Sequence, residues 1–119
     1  MPSSSRPQLT VEQHAREGAW VLVVGGELDA GTIAPLHRAA RAAAAAVPTV
    51  VLDLGGVTFA DSSALNLLIA LHHSTALRVA APQAQLLDLL SMTGADQVLN
   101  IYPTTDLACA ARSVDSSPS

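Results

Sequence analysis

The residues best suited to chemistry are an acid and two hydroxyls, Asp61, Ser62 and Ser63, which stand between two apolar runs. The Val- and Leu-rich run before them predicts a strand over residues 49–54, and the leucines after them recur at helical spacing in a helix that extends to about His73. The serines are therefore expected where a helix begins after a strand. Because the first turn of a helix presents free backbone N–H groups and the positive end of the helix dipole, this junction favours negatively charged groups.

The simplest interpretation of these three residues is helix capping. Asp61 would accept hydrogen bonds from the free amides, and the two small polar residues would be tolerated in the first turn. One cap is sufficient for a helix, however, so capping alone does not explain why two hydroxyls follow the acid. On the local pattern both interpretations, a plain cap and a functional site, stay open.

Other chemistries have little support in the sequence. A serine nucleophile needs a histidine base, but the four histidines show no suitable arrangement and the Gly-x-Ser-x-Gly motif is absent. His72 and His73 are adjacent on the predicted helix and point about 100° apart, which is unsuitable for a shared metal ion. Asp53 ends a predicted buried strand as a phosphate-accepting residue would, but the chain has no Lys, so we expect Asp53 to bond the amides of residues 55–56. We expect no catalytic residue, no metal ion and no cofactor.

Composition narrows the class of protein further. The 119 residues, half of them apolar, suit one domain with one core. The net charge is -4 and the six basic residues are all Arg, scattered along the chain, so nucleic acid is a poor partner. No apolar run is as long as a membrane span, the first residues lack a secretion signal, and the single Cys109 cannot form an internal disulfide. We expect no membrane insertion and a cytoplasmic location.

The predicted elements alternate between strands and helices after an initial hairpin. Ser- and Pro-rich ends predict disordered tails over residues 1–7 and 113–119 around one domain of residues 8–112. Strands are predicted at 9–14, 20–24, 49–54, 77–81 and 98–102. Helices are predicted at 32–46, from the serines to about 73, from 82 to about 94, and from 103 onward. Glycine pairs are expected to end the second and third strands, and Thr32 is expected to cap the first helix. The pattern predicts an α/β fold, a mixed sheet of about four to five strands packed by about four helices.

A second acid-bearing loop follows the second predicted strand. It carries Glu27 and Asp29 and leads to Thr32. Acids in a loop before a helix usually cap that helix. Strands that lie side by side would nevertheless place this loop and the Asp61 junction on the same rim of the sheet.

Several segments together resemble the STAS domain of bacterial anti-sigma factor antagonists. The matching residues are Gly26, Glu27, Leu28, Asp29 and Thr32, then Val51, Leu52, Asp53, Leu54, Val57 and Phe59, then Asp61, Ser62 and Ser63, and finally Met92, Thr93 and Gly94. Their order and spacing match from about Leu9 to Ala110. The resemblance implies a single STAS-like domain.

The same resemblance implies a regulator of transcription that acts by partner switching and is not an enzyme. In that family the unphosphorylated antagonist binds an anti-sigma factor that is also a serine kinase. Phosphorylation of the first hydroxyl after the Asp of the motif, here Ser62, ends the binding, and a serine phosphatase restores it. Ser63 matches the second hydroxyl position and is the less favoured site. The partner-binding residues implied are Asp29, Thr32, Asp61, Ser62, Ser63, Ala64 and Asn66.

Ala64 and Asn66 stand where the family usually has glycine. This departure leaves an alternative function open, in which the chain is a STAS scaffold without phosphorylation that serves as a subunit of a signalling or lipid-transport assembly.

Overall fold

The computed structural model describes residues 9–111, which form one five-stranded sheet with helices packed on both of its faces. The strands are β1 (Leu9–Arg16), β2 (Ala19–Leu28), β3 (Thr49–Ala60), β4 (Ala76–Ala80) and β5 (Asn100–Tyr102). The helices are α1 (Ala34–Ala46), α2 (Ser62–Ser74), α3 (Ala84–Thr93) and α4 (Thr105–Ala110), with a short 3-10 turn at Ala95–Gln97. The predicted α/β class and element order are confirmed. The tails predicted over residues 1–7 and 113–119 lie outside the described residues.

The strands follow chain order across the sheet, β1-β2-β3-β4-β5. The pair β1–β2 is antiparallel, and the other three pairs are parallel, so the sheet is mixed as predicted. The carboxyl ends of β2, β3, β4 and β5 consequently lie at one rim, and the loops that leave them are neighbours. Within residues 9–111 no helix is both long and apolar enough to cross a membrane.

The larger core lies between the sheet and the three helices α1, α2 and α3. Each helix contributes residues three or four apart, which is the spacing of one helix face. Those buried residues are Leu36, Ala40 and Ala43 in α1, Ala64, Leu67, Leu68 and Leu71 in α2, and Leu86 and Leu90 in α3. The position of α2 on the sheet is therefore set by its buried leucines.

Contrary to prediction, the glycine pairs do not end the second and third strands. Both strands continue through them, to Leu28 and to Ala60, with two shifts of register on the way. Gly25 pairs with Gly56, and a Cβ atom on Gly56 would lie 3.1 Å from the carbonyl oxygen of Val24 and 3.2 Å from the Cα atom of Gly25. Such contacts are tighter than most Cβ atoms make, so glycine favours the close approach of the two backbones. Because β2 and β3 extend further than β4, the candidate site at their ends lies beyond the end of β4.

The predicted cap of the first helix is also wrong. The residue before α1 is Ile33, which makes no side-chain capping bond. The buried Thr32 hydroxyl instead donates to the carbonyl oxygen of Glu27 at 2.7 Å and accepts from the amide of Asp29 at 3.0 Å. Thr32 therefore closes the loop that leaves β2, because its hydroxyl returns to the backbone on both sides of Leu28, where the loop begins.

A smaller apolar cluster on the opposite face of the sheet contains Cys109 of α4. Burial raises the pKa of its thiol, and Arg78 donates to the neighbouring carbonyl oxygen of Ala108 at 2.9 Å. Since the thiolate is the reactive form, we expect a thiol reagent at pH 8 to label the native protein on the order of a hundredfold or more slowly than the denatured chain. Equal rates in buffer and in denaturant would contradict the buried position of Cys109.

Candidate functional site

Two acid-bearing loops leave neighbouring strands at the same rim of the sheet. Leu28 and Ala60 are partners at the end of the β2–β3 ladder, and the amide of Asp61 donates to the carbonyl oxygen of Leu28 at 3.2 Å. Asp29 and Asp61 directly follow these two residues. The structure therefore places Asp29 and Asp61 on adjacent loops, as the order of elements made possible.

Asp61 caps α2, as the sequence predicts. Its backbone is extended, its Oδ1 atom accepts from the amide of Ser63 at 2.8 Å, and its carbonyl oxygen accepts from the amide of Leu65 at 3.2 Å. Ser62 is the first residue of the helix and is exposed, whereas Ser63 is half-buried. Of the two hydroxyls, that of Ser62 is thus the more accessible to a second protein.

Two of the predicted partner-binding residues are not at the surface. The side chain of Ala64 is fully buried under the first turn of α2, and Thr32 is buried in the loop after β2. In this conformation the Ala64 side chain offers a partner no surface and that of Thr32 offers very little. Asn66 is exposed, and since it lies four residues after Ser62 it shares the outer face of α2 with that serine.

Two further acids near the rim, Asp29 and Asp53, have local partners among backbone amides. Asp29 is half-buried, and its Oδ1 atom accepts from the amide of Gly31 at 2.9 Å. Asp53 accepts from the amide of Gly55 at 3.0 Å, as expected from its place before the glycine pair. Within residues 9–111 the ion pairs all involve Arg16, at the far end of β1, so none of the rim acids is paired with a cation there. The acids beside Ser62 are accordingly not neutralised by a direct ion pair within the described residues.

Sequence reasoning missed a contact between α3 and the strand end. The side-chain amide of Gln85 makes two hydrogen bonds of 2.8 Å with the backbone of Ala60, and Gln83 donates to the carbonyl oxygen of Gly55 at 2.6 Å. Two glutamines directly after Pro82 are the only signal of this in the sequence. That signal identifies no partner, because Ala60 lies 25 residues earlier in the chain.

Comparison with known proteins identifies the family. The model of the STAS domain family matches residues 10–108. The chain belongs to the STAS domain family. The resemblance read from the sequence is thereby confirmed, and it covers nearly the whole of the described chain.

Solved structures of several STAS relatives share this fold. An anti-sigma factor antagonist from Mycobacterium paratuberculosis is 31% identical, with a TM-score of 0.78 over 87% of this chain and 93% of that one. A STAS domain protein from Planctomyces limnophilus is 20% identical, with a TM-score of 0.76 over 85% and 98% of the two chains. The Bacillus cell fate determinant SpoIIAA in its phosphorylated form is 16% identical, with a TM-score of 0.61 over 77% and 90%. The last two likenesses show the fold alone. Comparison with curated protein sequences finds no match.

The cap at the start of α2 makes a measurable prediction for this STAS domain. Replacing Asp61 by Ala removes the acceptor of the Ser63 amide and should lower the free energy of unfolding by about 1 kcal/mol. Asp61→Asn keeps an oxygen acceptor and should lose much less. Urea unfolding measures both, with Asp88→Ala on the exposed side of α3 as the control for loss of a surface carboxylate. If Asp61→Ala and Asp88→Ala have the same stability, the capping bond contributes nothing.

Proposed function

We propose that this protein is a cytoplasmic anti-sigma factor antagonist, without catalytic activity of its own, that is switched by phosphorylation at Ser62. In the unphosphorylated form it binds an anti-sigma factor with serine kinase activity, and a serine phosphatase returns it to that form. Membership of the STAS family and the 31% identical anti-sigma factor antagonist support this role. The observation that carries the proposal is the exposed Ser62 hydroxyl at the first position of α2, beside the capping carboxylate of Asp61.

For phosphorylation, this chain has to expose the Ser62 hydroxyl but does not have to activate it. The Ser62 oxygen attacks the γ-phosphorus of ATP, the bond from that phosphorus to the β-γ bridging oxygen breaks, ADP leaves, and the hydroxyl proton is released. The kinase supplies ATP and the groups that stabilise the transferred phosphoryl group. What the antagonist contributes is a hydroxyl outside the core, on a helix that the leucines of its inner face hold in place.

The phosphorylated protein should stay folded. A phosphate on Ser62 lies at the amino end of a 13-residue helix, where free N–H groups and the helix dipole favour negative charge. The modification therefore acts on binding and leaves the fold intact.

Binding is sensitive to the same charge because the acids beside Ser62 form no direct ion pair within residues 9–111. Phosphorylation adds about -1.5 to -2 charges next to Asp61, with Asp29 on the adjacent loop. In an interface packed against Ser62 these charges would lose their water, and the neighbouring carboxylates would repel them. Phe59, which is 43% exposed on the strand that leads to the site, gives the unphosphorylated surface an apolar group that a partner can bury.

The direct test is to incubate the purified protein with its cognate kinase and ATP and to map the modified residue by mass spectrometry. We expect one phosphate, on Ser62, and none in Ser62→Ala. Ser63→Ala is the matched control and should still be modified. Phosphate retained by Ser62→Ala would contradict the assignment of the site. A pull-down that recovers sensor or transporter subunits and no kinase would favour the scaffold function instead.

A further inference from the structure

The part of β3 nearest the candidate site lacks a strand neighbour on one side. Pairing of β3 with β4 ends at Asp53 and Ala80, whereas pairing with β2 continues to Ala60. After β4 the chain turns away at Ala81, which has a φ of 57°, and Pro82 leads into α3. The backbone groups between residues 54 and 60 that face away from β2 must therefore find other partners.

The side chain of Gln85 takes the place of a strand residue at the end of this segment. Its Oε1 atom accepts from the amide of Ala60, and its Nε2 atom donates to the carbonyl oxygen of Ala60, both at 2.8 Å. In a parallel ladder the N–H and C=O groups of a residue bond to the same neighbouring strand, and a planar amide group supplies both partners at once. On the other side of β3 the next amide, that of Asp61, donates to Leu28. The junction is thus held from both sides.

We infer that Gln85 is a positioning residue of the switch: it fixes the Ala60 peptide groups and through them the Asp61 cap and the first turn of α2 that carries Ser62. An effect of Gln85 on the switch rests on the proposed function, whereas its positioning of the first turn of α2 does not. Ala60 is only 1% exposed while Gln85 covers it, so the two bonds from this side chain both satisfy its N–H and C=O groups and shield them from water. Asp61 follows directly, and its carboxylate holds the amide of Ser63. Any rotation of the Ala60 peptide is therefore transmitted to the cap.

A test by amide hydrogen exchange needs no partner protein. In Gln85→Ala the amides of Ala60 and Ser63 should exchange about tenfold or more faster than in the wild type, which corresponds to the loss of one or two hydrogen bonds to a buried peptide. Gln83→Ala removes a bond to Gly55 on the same segment and is the matched control, with both amides within about twofold of the wild type. The amide of the buried Val79 in β4 corrects for any change in global stability. Unchanged exchange of Ser63 in Gln85→Ala would overturn the inference.

The variant Gln85→Glu separates hydrogen bonding from packing. Its ionised carboxylate can accept from the Ala60 amide but cannot donate to the Ala60 carbonyl, whereas the protonated acid can do both. At neutral pH the Ala60 amide should therefore stay better protected in Gln85→Glu than in Gln85→Ala, whereas protection of Ser63 should be reduced and should recover as the carboxyl is protonated. We expect the pKa of that carboxyl to lie above its ordinary value of about 4.3, because the neutral form is the one that is fully hydrogen-bonded. Asp88 lies three residues after Gln85 on α3, so Asp88→Asn is added to Gln85→Glu as a control for its charge. Exchange that does not change with protonation would contradict the proposed geometry.

The same variants test the consequence for the switch. With the cognate kinase, kcat/KM for phosphorylation of Ser62 should fall about tenfold in Gln85→Ala and stay unchanged in Gln83→Ala. Equal phosphorylation of Gln85→Ala and the wild type would overturn the link to the switch. If the wild type itself is not phosphorylated at Ser62, the proposed function fails, and the exchange of Ser63 still decides whether Gln85 positions the first turn.

Discussion

The Ser62→Asp variant should bind the anti-sigma factor at least about a hundredfold more weakly than the Ser62→Ala variant, which should bind as tightly as the wild type. The reason is that Ser62 is exposed at the start of α2, so a small neutral side chain there leaves the surface nearly unchanged. Aspartate at the same position puts a second carboxylate directly beside Asp61. Burying that charge next to Asp61 in an interface costs more than the contact provides.

Loss of binding by Ser62→Asp can be separated from loss of structure. A carboxylate in the first turn interacts favourably with the helix dipole, so the Tm of Ser62→Asp should equal or exceed that of the wild type. Ser74→Asp is the matched control for charge, because Ser74 ends the same helix about 18 Å from Ser62. It should bind with the wild-type Kd in a titration calorimetry experiment. Equal Kd values for Ser62→Asp and Ser62→Ala would exclude the charge mechanism.

The parts of the fold that could be predicted from the sequence are those fixed by neighbouring residues. The capping function of Asp61 depends on the two residues after it, and the helix that follows is marked by its own leucines. The alternation of strand and helix patterns was enough to predict the mixed sheet. Strand lengths were not predictable in the same way, because the extension of β2 and β3 depends on the contact between Gly25 and Gly56, which are 31 positions apart (56 minus 25).

The burial of Ala64 was predictable from the sequence, unlike the strand lengths. Ala64 precedes Leu67, Leu68 and Leu71 by three, four and seven residues, which places all four on one face of a helix. That face packs on the sheet. Asn66, in contrast to Ala64, is exposed on the same side of α2 as Ser62. Of the two departures from the usual family glycines, the side chain of Asn66 is the one that a kinase would meet.

The glutamines of α3 show what local patterns cannot supply. Nothing near Gln85 in the sequence marks it as different from an ordinary surface residue at the start of a helix. Its significance comes from the early end of β4, which leaves the backbone of Ala60 without a strand partner on the side away from β2. A side chain that substitutes for a missing strand becomes visible only once the lengths of adjacent strands are known.

The largest effect on stability is expected from Leu68→Ala. Leu68 is 1% exposed at the centre of the inner face of α2, and its truncation should lower the free energy of unfolding by about 2–5 kcal/mol through lost burial and an unfilled cavity. This corresponds to a drop in Tm on the order of 10 °C or more. Leu87→Ala is the matched control, because Leu87 on α3 is 42% exposed and should lose much less.

The same series tests whether the helix that carries Ser62 is held by packing or by its cap. Leu68→Met keeps the volume of the core and should cost less than about 1.5 kcal/mol, so it stays measurable if Leu68→Ala unfolds. Asp61→Ala removes only the cap and should cost about 1 kcal/mol. Urea unfolding of all four variants compares the contributions of packing and of the cap to the free energy of unfolding. A loss of stability in Leu68→Ala no greater than that in Leu87→Ala would contradict the packing of α2. We expect the packing of Leu68 to contribute more stability than the Asp61 cap. The first turn can then accept a phosphate at Ser62 while the rest of α2 stays in place on the sheet.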